Sequence, residues 1–168
     1  DMVDVAKAAL SKAKEKNVQF LLPVDNIVAT PVKTDQLNAK GKPIYELKSP
    51  RLNNQPHIPD DAEGFDIGPD TARAYTEVIR KARTILWNGP MGMFEDQLFA
   101  QGTIAIARAT VEATQFGAKS IIGGGDSVKA LNKYKMGEKV AFMSTGGGAS
   151  LEFLEGKELP GVACLTDK

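Results

Sequence analysis

The sequence predicts an α/β chain built on a mainly parallel sheet with helices on both faces. Two stretches carry this reading. Ser120-Ile121-Ile122 is a short apolar run that enters Gly123, Gly124 and Gly125, and Asp126-Ser127 then opens a helical pattern. Val140-Ala141-Phe142-Met143-Ser144-Thr145 repeats the arrangement, entering Gly146, Gly147 and Gly148 before the helical Leu151-Glu152-Phe153-Leu154. Successive strand–glycine–helix passages put two clusters of backbone N–H groups at the carboxyl edge of a parallel sheet, where ligands of open α/β sheets bind. Glycine lets the backbone approach an anion, and a helix N-terminus offers unpaired amides at the positive end of its dipole. Asp126 sharpens the expectation. A carboxylate beside a phosphate repels it unless a cation such as Mg²⁺ lies between them. The alternative is that the glycines form a plain loop and Asp126 caps the helix.

In chain order, the first element is an amphipathic helix with Met2, Val5, Ala6, Ala9, Leu10 and Ala13 on one face. Strand–helix folds normally begin with a strand, so a leading helix predicts an earlier strand before Asp1 and an incomplete domain. Asn17 is a left-handed stop, and Val18-Gln19-Phe20-Leu21-Leu22 reads as a buried strand ended by Pro23. Asp25 and Asn26, just past it, read as turn or cap residues or as site residues. Ile27–Thr30 is a short second strand. From Pro31 to Asp61, five prolines (Pro31, Pro43, Pro50, Pro56 and Pro59) predict an irregular surface excursion with one strand at Ile44–Leu47. The single His57 lies there without the further ligands a metal site needs.

Regularity returns at Gly64-Phe65-Asp66-Ile67-Gly68-Pro69. A helix from about Asp70 turns Ala72, Tyr75, Ile79 and Ala82 inward, and Thr84-Ile85-Leu86-Trp87 follows as a strand. After the loop Asn88–Glu95, the longest helix carries Leu98, Phe99, Gly102, Ile106, Ala109, Ala113 and Phe116 on its inner stripe and stops at Gly117. The two glycine-turn units complete the chain.

The 168 residues, 42% of them apolar, suffice for one domain. Lysine plus arginine balances aspartate plus glutamate at 21 each, which argues against a general nucleic-acid or acidic-membrane surface. Cys164 is the only cysteine, so no internal disulfide forms. No apolar run approaches the roughly 20 residues of a membrane span, and no signal peptide is expected. A cytoplasmic protein is expected.

Familiar phosphate motifs fail. Gly41-Lys42 precedes Pro43 and Gly156-Lys157 precedes Glu158, whereas a P-loop needs Ser or Thr there. Three residues after Gly125 and Gly148 stand Val128 and Leu151, where a dinucleotide fingerprint needs Gly or Ala. The loop after Trp87 offers other chemistry. Asn88 can donate its amide to a phosphate, and Glu95 can accept from ribose hydroxyls. Met91, Met93 and Phe94 offer apolar surface for a base. Alternatively Trp87, Met93 and Phe94 are core and Glu95 is a helix-start carboxylate.

The runs Trp87-Asn88-Gly89-Pro90-Met91-Gly92-Met93-Phe94-Glu95, Ile122-Gly123-Gly124-Gly125-Asp126-Ser127 and Ser144-Thr145-Gly146-Gly147-Gly148-Ala149-Ser150-Leu151-Glu152 closely resemble the phosphoglycerate kinase family. Leu22-Pro23-Val24-Asp25, Asp66-Ile67-Gly68-Pro69 and Leu159-Pro160-Gly161-Val162 resemble it in the same order, over nearly the whole chain. The resemblance is to the later part of the C-terminal, nucleotide-binding domain, a Rossmann-like three-layer unit. It implies that Glu95 holds the ribose of ADP or ATP, Asn88 contacts the phosphates and Asp126 serves Mg²⁺. It implies too that N–H groups around Gly124, Ser127 and Gly147 stabilise the phosphoryl group in transfer, and that Gly64, Phe65, Pro90 and Met93 border the adenine. Gly123, Gly125 and Gly146 complete the phosphate-binding turns. Ser127 stands where many relatives have Thr, which keeps both the amide and a hydroxyl.

By the same resemblance the parent enzyme is a cytoplasmic, monomeric enzyme of glycolysis, transferring a phosphoryl group reversibly between 1,3-bisphosphoglycerate and ADP. The domain holding 3-phosphoglycerate has no counterpart in the sequence, nor has the Gly-Gly-Ala-Lys-Val segment whose lysine pairs with the nucleotide phosphates. The chain alone is therefore expected to be inactive. A stand-alone nucleotide-binding module without catalysis is the alternative.

Overall fold

The computed structural model describes residues 2–165. Its centre is a parallel sheet of β4 (Thr84–Asn88), β5 (Lys119–Gly123) and β6 (Phe142–Ser144), in that order. β4 and β5 pair in register from Thr84 against Lys119 to Asn88 against Gly123, and Gly123 then pairs with Ser144 of β6. The alternation of β4 and β5 sets the layers. Ile85, Trp87, Ser120 and Ile122 are buried on one face, while Leu86 and Ile121 point to the other.

Three helices cover the first face: α2 (Pro69–Lys81), α3 (Gln101–Gln115) and α4 (Gly125–Lys133). Trp87, Ile106, Ala107, Ile122 and Leu131 form the core cluster with Ile67, and Ala72, Tyr75 and Ile79 of α2 pack on it as expected. Each large apolar side chain so buried contributes about 1.5–3 kcal/mol. Ser120 is tolerated inside because its hydroxyl is satisfied. It accepts from the Ala141 amide at 2.9 Å and from the Thr114 hydroxyl at 2.7 Å. The α3 helix closes on Gly117, whose φ of +94° lets Ala118 N–H reach back to Ala113 C=O at 3.0 Å. On the second face α5 (Gly147–Leu154) lines a hollow with Leu86 and Ile121. A short α6 (Pro160–Ala163) follows.

A second sheet departs from expectation. Much of the stretch Pro31–Asp61 is not irregular: β1 (Asn26–Leu37) and β2 (Pro43–Asn53) form a long antiparallel hairpin, and β3 (Glu63–Ile67) adds on the other side of β1, leaving residues 54–61 as the irregular part. The prolines fit because of where they fall. Pro43 begins β2, and Pro31 lies beyond Asn26–Ala29, the part of β1 that pairs with β3.

Other expectations need correction. Val18–Leu22 forms no strand and is exposed; among the described residues nothing flanks it to complete a ladder, and its link to the core is a hydrogen bond from the Tyr75 hydroxyl to Leu21 C=O. The helix α1 (Met2–Glu15) forms and stops at Asn17 with φ +52°, but none of its residues is buried, because among the described residues no surface packs on its apolar stripe. The last strand is shorter than Val140–Thr145, since Ala141 N–H goes to the side-chain hydroxyl of Ser120 rather than to a main-chain carbonyl of β5. Leu98 and Phe116 are exposed. Leu98 sits in a 3₁₀ turn (Gln97–Phe99) ahead of α3, and Phe116 caps the helix facing outward.

Candidate functional site

All three parallel strands end at one edge, and both glycine turns lie there. Asn88 ends β4, Gly123 ends β5 and Ser144 ends β6. Gly124 takes φ +91° and donates its N–H to Ser144 C=O at 3.0 Å, which ties the first turn to β6. Gly147 comes so near that a Cβ on it would stand 2.8 Å from Gly124 Cα. Asn88 spans both turns. Its Nδ2 donates to Gly147 C=O at 3.2 Å, and its Oδ1 would lie 3.0 Å from a Cβ on Gly124. Gly123, Gly124 and Gly147 therefore gather around one amide side chain, with one of its hydrogens engaged by protein. Gly125, Asp126 and Ser127 head α4, where an α-helix leaves its first amides without intrahelical partners.

The Ser127 side chain is buried, and its hydroxyl accepts from the Gly89 amide at 2.7 Å. This bond, with Gly89 at φ +105°, sets the direction in which the loop leaves β4. Asp126 is exposed on the first turn of α4 and pairs with Lys129 at 2.9 Å. The same lysine feels Glu95, so that Asp126 first, by hydrogen bond and charge, and Glu95 more weakly raise its pKa.

The loop Asn88–Glu95 joins these groups to a cavity of about 390 Å³. Gly64, Phe65, Pro90, Met91 and Met93 line it, together with Pro23 and Asp66. Met93 N–H donates to Phe65 C=O at 2.9 Å, so the two walls are fastened to each other. Phe94 does not reach the cavity. It is buried as core, as Trp87 is. Nor is Glu95 the helix-start carboxylate, because Asp96 accepts from the Leu98 amide at 2.9 Å in that role. The Glu95 carboxylate makes no hydrogen bond or ion pair among the described residues, whereas its main-chain carbonyl accepts from Lys133 Nζ at 2.8 Å. Lys133 and Tyr134 also donate to Phe94 C=O, at 3.0 and 2.9 Å, which ties the loop end to α4.

Sequence reasoning missed these anchors and the role of Asp66, and had Asp25 among turn, cap or site residues. Asp25 is a cap, but for α2 rather than for its own turn: its carboxylate accepts from the Asp70 and Thr71 amides at 2.9 and 2.8 Å and from the Thr71 hydroxyl. Burial alone raises its pKa, but these hydrogen bonds prevail and lower it. Asp66 stands under the loop, its pKa pushed up to about 6 by burial despite bonds from the Gly102 and Ile67 amides. The sequence signal was Asp66 inside an apolar run with no partner of opposite charge nearby.

Among the described residues no cluster of three or more His, Cys, Asp or Glu side chains is placed to hold a metal. A single exposed carboxylate, Asp126, fits Mg²⁺ only as an ion that brings most of its oxygens from phosphate and water, which is its ordinary habit. None of the helices described is long and apolar enough to cross a membrane.

The family model described as phosphoglycerate kinase matches residues 1–157. The chain belongs to that family. It is 48% identical, over its whole length, to the phosphoglycerate kinase of Clostridium novyi and 46% identical to that of Clostridium kluyveri. It spans 38% of the length of each of these curated relatives. The phosphoglycerate kinase structure from Coxiella burnetii superposes with a TM-score of 0.77 at 42% identity, over 95% of this chain and 38% of that one. The Pyrococcus horikoshii phosphoglycerate kinase gives 0.67 at 31% identity, over 96% of this chain and 36% of the other. The expected α/β fold with a parallel sheet and helices accords with these phosphoglycerate kinase neighbours.

Proposed function

We propose that residues 1–168 are part of the nucleotide-binding domain of a phosphoglycerate kinase and hold MgADP or MgATP at the carboxyl edge of the parallel sheet. The observation that carries this is the contact of Gly124 and Gly147 around Asn88, with the loop from Asn88 running directly into the Phe65–Pro90–Met93 cavity. The adenine lies in that cavity against Gly64, Phe65, Pro90 and Met93. The ribose hydroxyls donate to Glu95, and the phosphates meet Asn88 and the turns Gly123–Gly125 and Gly146–Gly147, where the first amides of α4 have no intrahelical partner.

The parent reaction is reversible transfer of a phosphoryl group between 1,3-bisphosphoglycerate and ADP, as in glycolysis. A β-phosphate oxygen of ADP attacks the acyl phosphorus, the bond from phosphorus to the carboxyl oxygen breaks, and 3-phosphoglycerate leaves as its carboxylate. The amides around Gly124, Ser127 and Gly147 stabilise charge on the three transferring oxygens, and this kind of aimed donor is worth about 10²–10³ in rate. Asp126 holds the Mg²⁺, which when bound neutralises phosphate charge. Phosphoglycerate is held by a domain outside this chain, in a cytoplasmic parent that works as a monomer. The test is an amide NMR titration of the full-length protein with MgADP. Shifts at Gly124, Ser127 and Gly147 are expected; their absence at saturating nucleotide would contradict the proposal.

A further inference from the structure

Asp66 lines the cavity but makes none of the proposed nucleotide contacts, yet the loop is built on it. It is buried on β3, where a carboxylate has to be fully hydrogen-bonded to be tolerated. Its Oδ2 accepts from the Gly102 amide in the first turn of α3 at 2.7 Å, and its Oδ1 from the Ile67 amide at 2.9 Å. The neighbours are moulded to it: a Cβ on either Gly92 or Gly102 would overlap the Asp66 carboxylate. One residue beyond Gly102, the buried Thr103 hydroxyl accepts from the Met91 and Gly92 amides at 3.0 and 3.3 Å. On the near side, Phe65 C=O accepts from the Met93 amide at 2.9 Å. Three consecutive loop amides are thus fixed by β3 and the start of α3.

We infer that Asp66 and Thr103 are positioning residues for the nucleotide: together they set the Pro90–Met93 wall of the cavity at the distance from Phe65 that a purine ring requires. The inference rests on the nucleotide reading given above. Neither side chain needs to touch the base, since Asp66 acts through Gly92 and Gly102 and Thr103 through the amides of Met91 and Gly92. Asn at position 66 has one oxygen for two facing amides, so one of the two bonds becomes a donor against a donor. Val at position 103 keeps the shape of threonine and removes the acceptor for the loop.

The experiment is steady-state kinetics of the full-length protein, its Asp66→Asn variant and its Thr103→Val variant, with thermal unfolding of each. KM for ADP is expected to rise on the order of tenfold in both variants, the loss of a buried hydrogen-bond acceptor being of that size. KM for 1,3-bisphosphoglycerate should stay within about twofold, below the cost of one lost hydrogen bond. A merely structural role would instead lower the unfolding temperature and scale kcat with the amount of folded enzyme, leaving KM alone. Thr103→Val keeps its packing, so it reports even where Asp66→Asn fails to fold. An unchanged ADP KM in Thr103→Val, or an equal rise for both substrates, would overturn the inference while wild-type turnover left the nucleotide reading standing. A wild-type protein that binds no nucleotide would overturn both.

Discussion

Gly147 rests against Gly124 with no room for a side chain, at 2.8 Å from a Cβ on Gly147 to Gly124 Cα. Because the obstacle is backbone, it cannot swing aside as a side-chain tip would. Gly147→Ala should therefore cost about 1–3 kcal/mol of stability and push the two turns apart. Urea unfolding measures the first effect and MgADP titration the second. Wild-type values for both would mean that the turns separate freely and that their contact fixes nothing.

Glu95 should separate binding from folding. Its carboxylate is exposed, and Asp96 already provides the cap of the following turn. In the full-length protein, Glu95→Ala is expected to raise the ADP KM by the loss of roughly 1.5–3 kcal/mol of hydrogen bonding to a charged group, with the unfolding midpoint unchanged. An unchanged KM would remove Glu95 from the ribose site.

The two buried aspartates should oppose each other in acid. Asp25 has a pKa below its ordinary 3.8 in the folded chain, so its contribution is present above that value and is lost as the pH falls through the folded one. Asp66 has a pKa raised from 3.8 to about 6. Between those values the folded state binds the extra proton, so stability falls as pH rises across that window, by roughly 3 kcal/mol. Asp66→Asn should flatten this limb and Asp25→Asn the acid limb of an unfolding-versus-pH curve. A limb that survives its own substitution would refute the assignment.

The purified 168-residue chain should show no turnover with 1,3-bisphosphoglycerate and MgADP, because it carries no positioned second reactant. Light scattering should also find it prone to association, since Val18, Phe20, Leu22 and Phe153 are exposed. Turnover within about tenfold of the full-length enzyme would show that the stabilising charge lies inside this chain rather than outside it.

Local chemistry made most of the site legible. Glycine runs after β-branched strands located both turns, and the spacing from Asn88 to Glu95 located the loop. What escaped was non-local. Nothing near Asp25 in sequence points to Thr71, and nothing near Asp66 points to Gly102, yet those pairs anchor α2 and α3. The hairpin of β1 and β2 was hidden by its prolines, which break the strand pattern in sequence but fall at positions where the ladder needs no donor. Val18–Leu22 erred the other way. Its composition is that of a strand, but a strand forms only beside a partner, and none flanks it among the described residues.

The central claim, that the two glycine turns and the Phe65–Met93 cavity bind one nucleotide, is tested most directly by a crystal structure of the full-length protein with MgADP. The adenine is expected between Phe65, Pro90 and Met93, the ribose hydroxyls on Glu95, and the β-phosphate at the two turns, within hydrogen-bond distance of the Gly125, Asp126 or Ser127 amide at the head of α4. A nucleotide bound elsewhere, with both turns free of phosphate, would contradict it.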